Sequence, residues 1–367
     1  MRFCIGEAFI ISHHKSLNTS VAIIISTLSL DFSRDILYLC ELKCAGPSAR
    51  DYSGRYKESE KIMQLQKTLK KSYSFEGKGL HTGRVANMTI KPAPVDTGIV
   101  FVRTDIDGGA VVPALAENVS NTARSTTISC GDASVSTIEH VLSALTGMGV
   151  DNAIIDIDNV EVPILDGSAK PYIDAIWKDG FEQQDAPRRY VELKETIEIR
   201  NDEKGSVVRI EPAEDFSYEI KIDFNSRVIG VQNAVWNYDV VYPEEIGVCR
   251  TFVFFHEIEF LFNNNLVKGG DVDNAIVIVE HPVTDEQIDR MSKLFNVPAL
   301  KVREDGYLSN LVLRFPNECA RHKLLDLIGD LRLCGGFLKA KVTAEKAGHG
   351  INTTAAKAVR QSLSSRA

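Results

Sequence analysis

An α+β fold of two similarly built domains is predicted by three observations. Strand-like runs rich in β-branched residues (ANMTIKPA, GIVFVRTD, DNAIIDID) occur between about 64 and 186, and comparable runs return near 189–200, 206–212 and 217–224. In both halves a helical run comes late and is followed by one more strand or a closing helix, so a β-rich, helix, strand, helix order is duplicated. The 367 residues, 44% hydrophobic and 25% charged, suffice for two ordinary cores and exclude disordered and collagen-like classes.

Residues 1 to 62 lack this texture. An irregular apolar opening passes into the turn-rich AGPSARDYSGRYKESEK, and a different pattern begins at Met63, so 1–62 is expected to be an extension outside the functional fold. Its most apolar stretch, Val21 to Leu30, is half the roughly 20 residues a membrane span needs. Glu7, His13, His14 and Lys15 interrupt any signal-peptide core. The seven cysteines form no CxxC pair, and Cys40 and Cys44 lie near no histidine cluster, so reduced thiols and a cytoplasmic location are expected. With 42 Lys and Arg against 50 Asp and Glu, no global basic field exists to hold nucleic acid.

The first domain is expected over 63–186. Its first helix, about 136–148, opens with Ser136 and Glu139 at capping-box spacing and stops at Gly147 or Gly149. Its second, about 168–179, takes Ser168 as cap and tolerates Pro171 in the first turn. The second domain, 187–367, adds a long helix near 318–334, a strand near 337–344 and a last helix from about 352. Between them an apolar insertion, 247–281, reads as strand, short helix and buried strand.

Four local patterns carry potential chemistry. In RHKLLDLIGDLRLCGG, His322 and Asp326 are i and i+4, so imidazole and carboxylate project side by side as two zinc-competent ligands, although a surface ion pair has the same spacing. Glu139 and His140 are adjacent at a helix start, where one side chain can ligate while the other handles a proton; the alternative is a cap and a packed ring. His349 stands between glycines at a strand-to-helix junction and can present its ring to a cleft. Asp330, two turns beyond His322, can orient an imidazole or simply face solvent beside Arg332. Thr251 of RTF can meet an oxyanion or merely sit in a strand.

GLHTG, STIEHVLSAL, VPILDGSA, CRTF, GGDVDNAIV, RHKLLDLIGDL and GHGINT occur in this order across about 65 to 355. Together they closely resemble the UDP-3-O-acyl-N-acetylglucosamine deacetylase family, the zinc amidases of lipid A biosynthesis in Gram-negative bacteria. The resemblance implies two α/β sandwich domains whose helix layers face each other around the active site, with a small βαβ insertion shaping an acyl passage. Phe252, Phe254, Phe255 and Phe260 are its candidates for that passage.

By the same resemblance, His140, His322 and Asp326 bind Zn2+, with Fe2+ as the competing metal. Glu139 is the general base, His349 the second catalytic residue, Thr251 an oxyanion contact, and Asp330 and Lys323 polar partners. Lys323 and Lys346 lie toward the diphosphate, and Phe224 resembles an aromatic that stacks on uracil, while His81 of GLHTG reads as part of a structural turn. The implied partner is the UDP-sugar acyl-lipid substrate, with a transient membrane-surface contact, no transmembrane segment and a monomeric chain. A non-catalytic glycolipid-precursor binding protein, or a zinc amidase for another N-acyl sugar, is the alternative. Some family members continue into a dehydratase domain; this chain stops at SLSSRA, so no dehydratase activity is expected.

Overall fold

The computed structural model describes residues 64–364, apart from 264–267, 272, 295–296 and 298–299. The readings placed on residues 1–62, including Val21 to Leu30, Cys40 and Cys44, lie outside the described residues.

The duplication is visible in the sheets. The first orders its strands Tyr73–Lys78, Val85–Pro92, Ala153–Ile157, Ile99–Arg103 and Ala110–Pro113, with only the Ala153–Ile157 and Ile99–Arg103 pair parallel. The second orders Ile197–Asn201, Ser206–Pro212, Phe337–Glu345, Ser217–Asp223 and Val231–Trp236, again with only the third and fourth of these parallel. Tyr190–Glu192 adds a parallel strand beside Phe337–Glu345. In both sheets the chain's last strand enters at the centre, after a helix has crossed one face. Burial alternates along Ile99–Arg103 and Ser206–Pro212, the period-two signature of a sheet covered on one side.

Four helices cover those faces: α1 (Glu139–Gly147), α2 (Lys170–Trp177) and, after the second set of strands, the long Glu318–Arg332 and His349–Ser364 helices. Between them lie α3 (Tyr242–Glu245), α4 (Phe255–Asn263) and α5 (Asp285–Leu294), so the long pair are α6 and α7. All nine residues of α1 are buried, because it packs between its own sheet and α6. Gly147 admits the Tyr242 ring, which a Cβ would meet at 2.1 Å, and the Tyr242 hydroxyl shares a 2.6 Å hydrogen bond with Ser143 Oγ. The two helix layers therefore meet directly.

The expected capping box is not formed. The Ser136 hydroxyl donates to the Val160 carbonyl at 3.1 Å, and helix α1 starts later than expected, with Ile138 in the cap position and no side-chain cap. Thr137 adopts φ 58°, a costly conformation for a β-branched residue, and its hydroxyl donates to the buried Glu161 at 3.0 Å. Glu161 also accepts the backbone N–H groups of His81 and Thr82, so the GLHTG turn is clasped to the start of α1. Ser168 is not the cap of α2 either: Ala169 holds that position, and the Ser168 hydroxyl accepts the Lys170 N–H at 3.1 Å just outside the helix, while Pro171 stands in the first turn as expected.

The insertion contains the expected strand, helix and strand: Phe252–Phe254 and Ile276–Ile278 pair in parallel around α4. It continues past 281 through α5 to Leu308, because Phe255, Val277, Val279, Ile288, Met291, Leu300 and Leu308 enclose a small core of their own. Alternation divides the parallel pair. Phe252, Phe254, Ile276 and Ile278 face the main core, while Val253, Phe255, Val277 and Val279 face the small one.

Candidate metal centre

The facing helices bring together residues distant in sequence. Gly329 of α6 approaches Glu139 backbone to backbone. Nε2 of His140 lies 3.6 Å from Asp326 Oδ1, and Nε2 of His322 lies 3.5 Å from the same oxygen. One ligand atom from each of the three buried side chains falls within 4.8 Å of the other two. Asp326 Oδ1 is buried with no hydrogen-bond partner among the described residues, a costly state for a carboxylate oxygen unless a cation completes it. Two imidazole nitrogens and one carboxylate oxygen around a common point fit a metal ion and leave a position for water. The i, i+4 pair of α6 is thus a buried part of a cluster rather than a surface ion pair.

Neighbouring groups set the ligand orientations. His322 Nδ1–H donates to the Cys249 carbonyl at 3.0 Å; a carbonyl can only accept, so the Nε2 lone pair is turned to the cluster. Burial lowers His322 to about 4, which keeps the ring neutral and able to ligate. Lys323 Nζ donates to Asp326 Oδ2 at 2.7 Å, leaving Oδ1 for the metal position. Burial opposes the Asp326 charge, but Lys323 and His322 outweigh it and hold the carboxyl well below its usual range. Burial likewise opposes the Lys323 charge, and Asp326 more than restores it.

Beside the cluster is a second pair. His349 Nε2 lies 3.9 Å from Glu139 Oε1, and Nδ1–H donates to Asp330 Oδ2 at 2.9 Å. Burial raises Glu139, against the opposing pull of His349 and His140. Burial also disfavours charge on His349, but the Asp330 and Glu139 carboxylates prevail and raise it to about 9. At neutral pH the dyad therefore holds a protonated imidazole beside a carboxyl group.

The surroundings decide readings that the sequence left open. Asp330 is fully buried rather than solvent-facing, and accepts from Thr126 Oγ1 (2.5 Å), Asn352 Nδ2 (3.0 Å) and His349. His349 is the first residue of α7, ahead of the helix start expected near 352, because the Asn352 N–H already bonds the Gly348 carbonyl. Thr251 is anchored by its backbone, donating to the Gly167 carbonyl (2.9 Å) and accepting from the Ile276 N–H (2.8 Å), two residues from the carbonyl that orients His322. Phe252 stands edge-on between His322 (6.5 Å) and Phe224 (5.4 Å), whose ring is exposed. Lys346 Nζ pairs with Asp223 at 2.9 Å, on the strand leading to Phe224. Phe255 belongs to the small core, and Phe260 is exposed.

Sequence reasoning missed Thr126, Asn352 and the buried ion pair of Arg250 with Glu318 at 2.9 Å. Arg250 directly follows the carbonyl that holds His322, and Glu318 sits in the first turn of α6, so the pair fixes both. Nothing in the serine- and threonine-rich run around Thr126 distinguishes it.

Comparison with known proteins agrees with this geometry. Residues 66–295 and 293–361 match the family model of LpxC, UDP-3-O-acyl N-acetylglycosamine deacetylase. The chain is 41% identical over 301 residues to the bifunctional enzyme LpxC/FabZ of Porphyromonas gingivalis, covering 82% of this chain and 65% of the relative. It is 39% identical over 293 residues to the UDP-3-O-acyl-N-acetylglucosamine deacetylase of Teredinibacter turnerae, covering 79% and 88%. The chain spans about 65% of the length of the bifunctional relatives it matches. With the family match running through both sheets and every residue of the cluster, the chain belongs to the UDP-3-O-acyl N-acetylglycosamine deacetylase family.

Proposed function

We propose that this chain hydrolyses the N-acetyl group of UDP-3-O-(3-hydroxyacyl)-N-acetylglucosamine, releasing acetate and the free 2-amino sugar, the committed step of lipid A biosynthesis. The observation that carries the reading is the His140, His322 and Asp326 cluster with the Glu139 and His349 dyad beside it. His140, His322 and Asp326 would hold the ion, which we take as zinc, with Fe2+ as the competitor. When bound, the metal supplies Lewis-acid polarisation of the amide carbonyl and acidifies water.

The remaining chemistry belongs to the chain's own side chains. Glu139, its proton affinity raised by burial, removes a proton from the attacking water. The Thr251 hydroxyl meets the developing oxyanion. Protonated His349, held by Asp330, offers its Nε2 proton to the departing amine. Lys323 keeps Asp326 ionised. Phe252 lines the start of the acyl passage, and Phe224 and Lys346 form the nucleotide side, where Lys346 must share its charge with Asp223.

Residues 63–186 and 187–367 are the two halves of this catalytic unit, and a chain begun at Met63 should retain activity. The reaction belongs in the cytoplasm, where nucleotide sugars are made, and no helix among the described residues is long and apolar enough to cross a membrane. The test is deacetylation of the UDP-sugar by purified protein before chelation, after it and with zinc restored. Loss and recovery of turnover supports the reading; turnover unchanged by complete metal removal overturns it.

A further inference from the structure

We infer that Thr126 is a positioning residue that sets the proposed base, Glu139, and the proposed acid, His349, in register with each other. The inference rests on the deacetylase reading above and goes beyond it, because none of the sequence motifs that carry the resemblance contains this threonine.

Thr126 lies just before the strand Thr127–Cys130, is fully buried, and engages every polar group it has. Its backbone N–H donates to Glu139 Oε2 at 3.0 Å, and its carbonyl accepts the Ile138 N–H at the start of α1. Its hydroxyl reaches across to α6 and donates to Asp330 Oδ1 at 2.5 Å. One residue thus touches both the proposed base and the carboxylate that holds His349.

The hydrogen-bond directions give the contact its consequence. Asp330 as a carboxylate only accepts, so the Thr126 hydroxyl must donate, and this bond occupies Oδ1. Oδ2 then receives His349 Nδ1–H and Asn352 Nδ2, which fixes the plane of the carboxylate and hence the direction of the imidazole. On the other side, the backbone N–H turns Glu139 Oε2 toward Thr126 and leaves Oε1 facing His349. Without the hydroxyl, Asp330 can rotate and carry His349 out of line. A purely structural tie would cost stability instead, without selectively slowing turnover.

The experiment uses the metal-loaded full chain and its substrate. Thr126→Val keeps the shape and removes the donor; kcat should fall about tenfold to a hundredfold, the range for losing a hydrogen bond to a charged group, while KM and metal content stay within about twofold. Thr126→Ser restores the donor and should recover kcat to within about threefold of the parent. In an Asp330→Ala background, Thr126→Val should add less than about twofold, since its route of action is already gone. A valine variant with parental kcat, or a full penalty persisting without Asp330, overturns the inference. If the valine chain does not fold, Thr126→Cys, a weak donor of similar size, takes its place in the same comparisons. A metal-loaded parent without turnover would defeat the deacetylase reading itself, and is seen before any variant is made.

Discussion

Gly329 lies against the backbone of Glu139 so closely that a Cβ there would stand 2.0 Å from the Glu139 carbonyl oxygen. This contact brings His140 on one helix within reach of His322 and Asp326 on the other. The obstructing atom is backbone, so a larger residue cannot be absorbed by a side-chain rotation.

Gly329→Ala should therefore push α1 and α6 apart. Overpacking of this kind costs about 1–3 kcal/mol, and the separation also opens the ligand set. A lowered melting temperature together with weaker metal binding is expected; unchanged metal affinity would mean that the helices can slide without disturbing the cluster.

Ligation and proton handling should separate by mutation. Asp326→Ala removes a ligand and should abolish both metal content and turnover. Glu139→Gln preserves shape and should retain metal while lowering kcat by about 10²–10⁴, the usual weight of a general base. Metal analysis beside kinetics checks both, and the reverse pattern would exchange the two roles.

The raised His349 gives a sign to the pH dependence of stability. Its ordinary value is 6.5, and the neighbouring carboxylates lift it to about 9 in the folded chain, so the contribution is full below 6.5 and lost as pH rises through 9. The loss amounts to roughly 3 kcal/mol. In metal-free protein, melting temperatures between pH 6 and 10 should fall for the parent over this window and change less for His349→Ala. An alkaline fall in kcat near the same pH is expected for the loaded enzyme.

Arg250→Met would leave Glu318 buried without its cation. Breaking such a pair costs about 3–5 kcal/mol, and the neighbouring Cys249 carbonyl would lose its support. Denaturant melts should show the loss, and metal affinity should drop with it even though Arg250 is no ligand. Arg250→Met with Glu318→Leu should recover much of the stability.

What could be read in the sequence was local or periodic. His322 and Asp326 share a helix face at i and i+4, Glu139 precedes His140, and alternation marked the strands of the two sheets. The three ligands were joined through a resemblance rather than through spacing, since His140 and His322 meet only when two helices cross. Thr126 reaches Asp330 over 204 positions, and Cys249 orients His322 with a backbone carbonyl, which carries no residue identity. Burial decided between the local alternatives left open at Glu139 and Asp330. Glu139 looked like a cap because Ser136 stood three residues earlier, yet the strained turn at Thr137 aims it at Thr126 and His349 instead.

The parallel pair in the insertion has a consequence for how the family can change. Its two strands form a party wall, with Phe252, Phe254, Ile276 and Ile278 facing the catalytic side and Val253, Phe255, Val277 and Val279 facing the other room. Slipping the register by one residue would swap the tenants of both rooms, so that route is closed to drift. Replacement at alternate positions remains open. Descendants can remodel the outer room while the face toward His322 stays as it was.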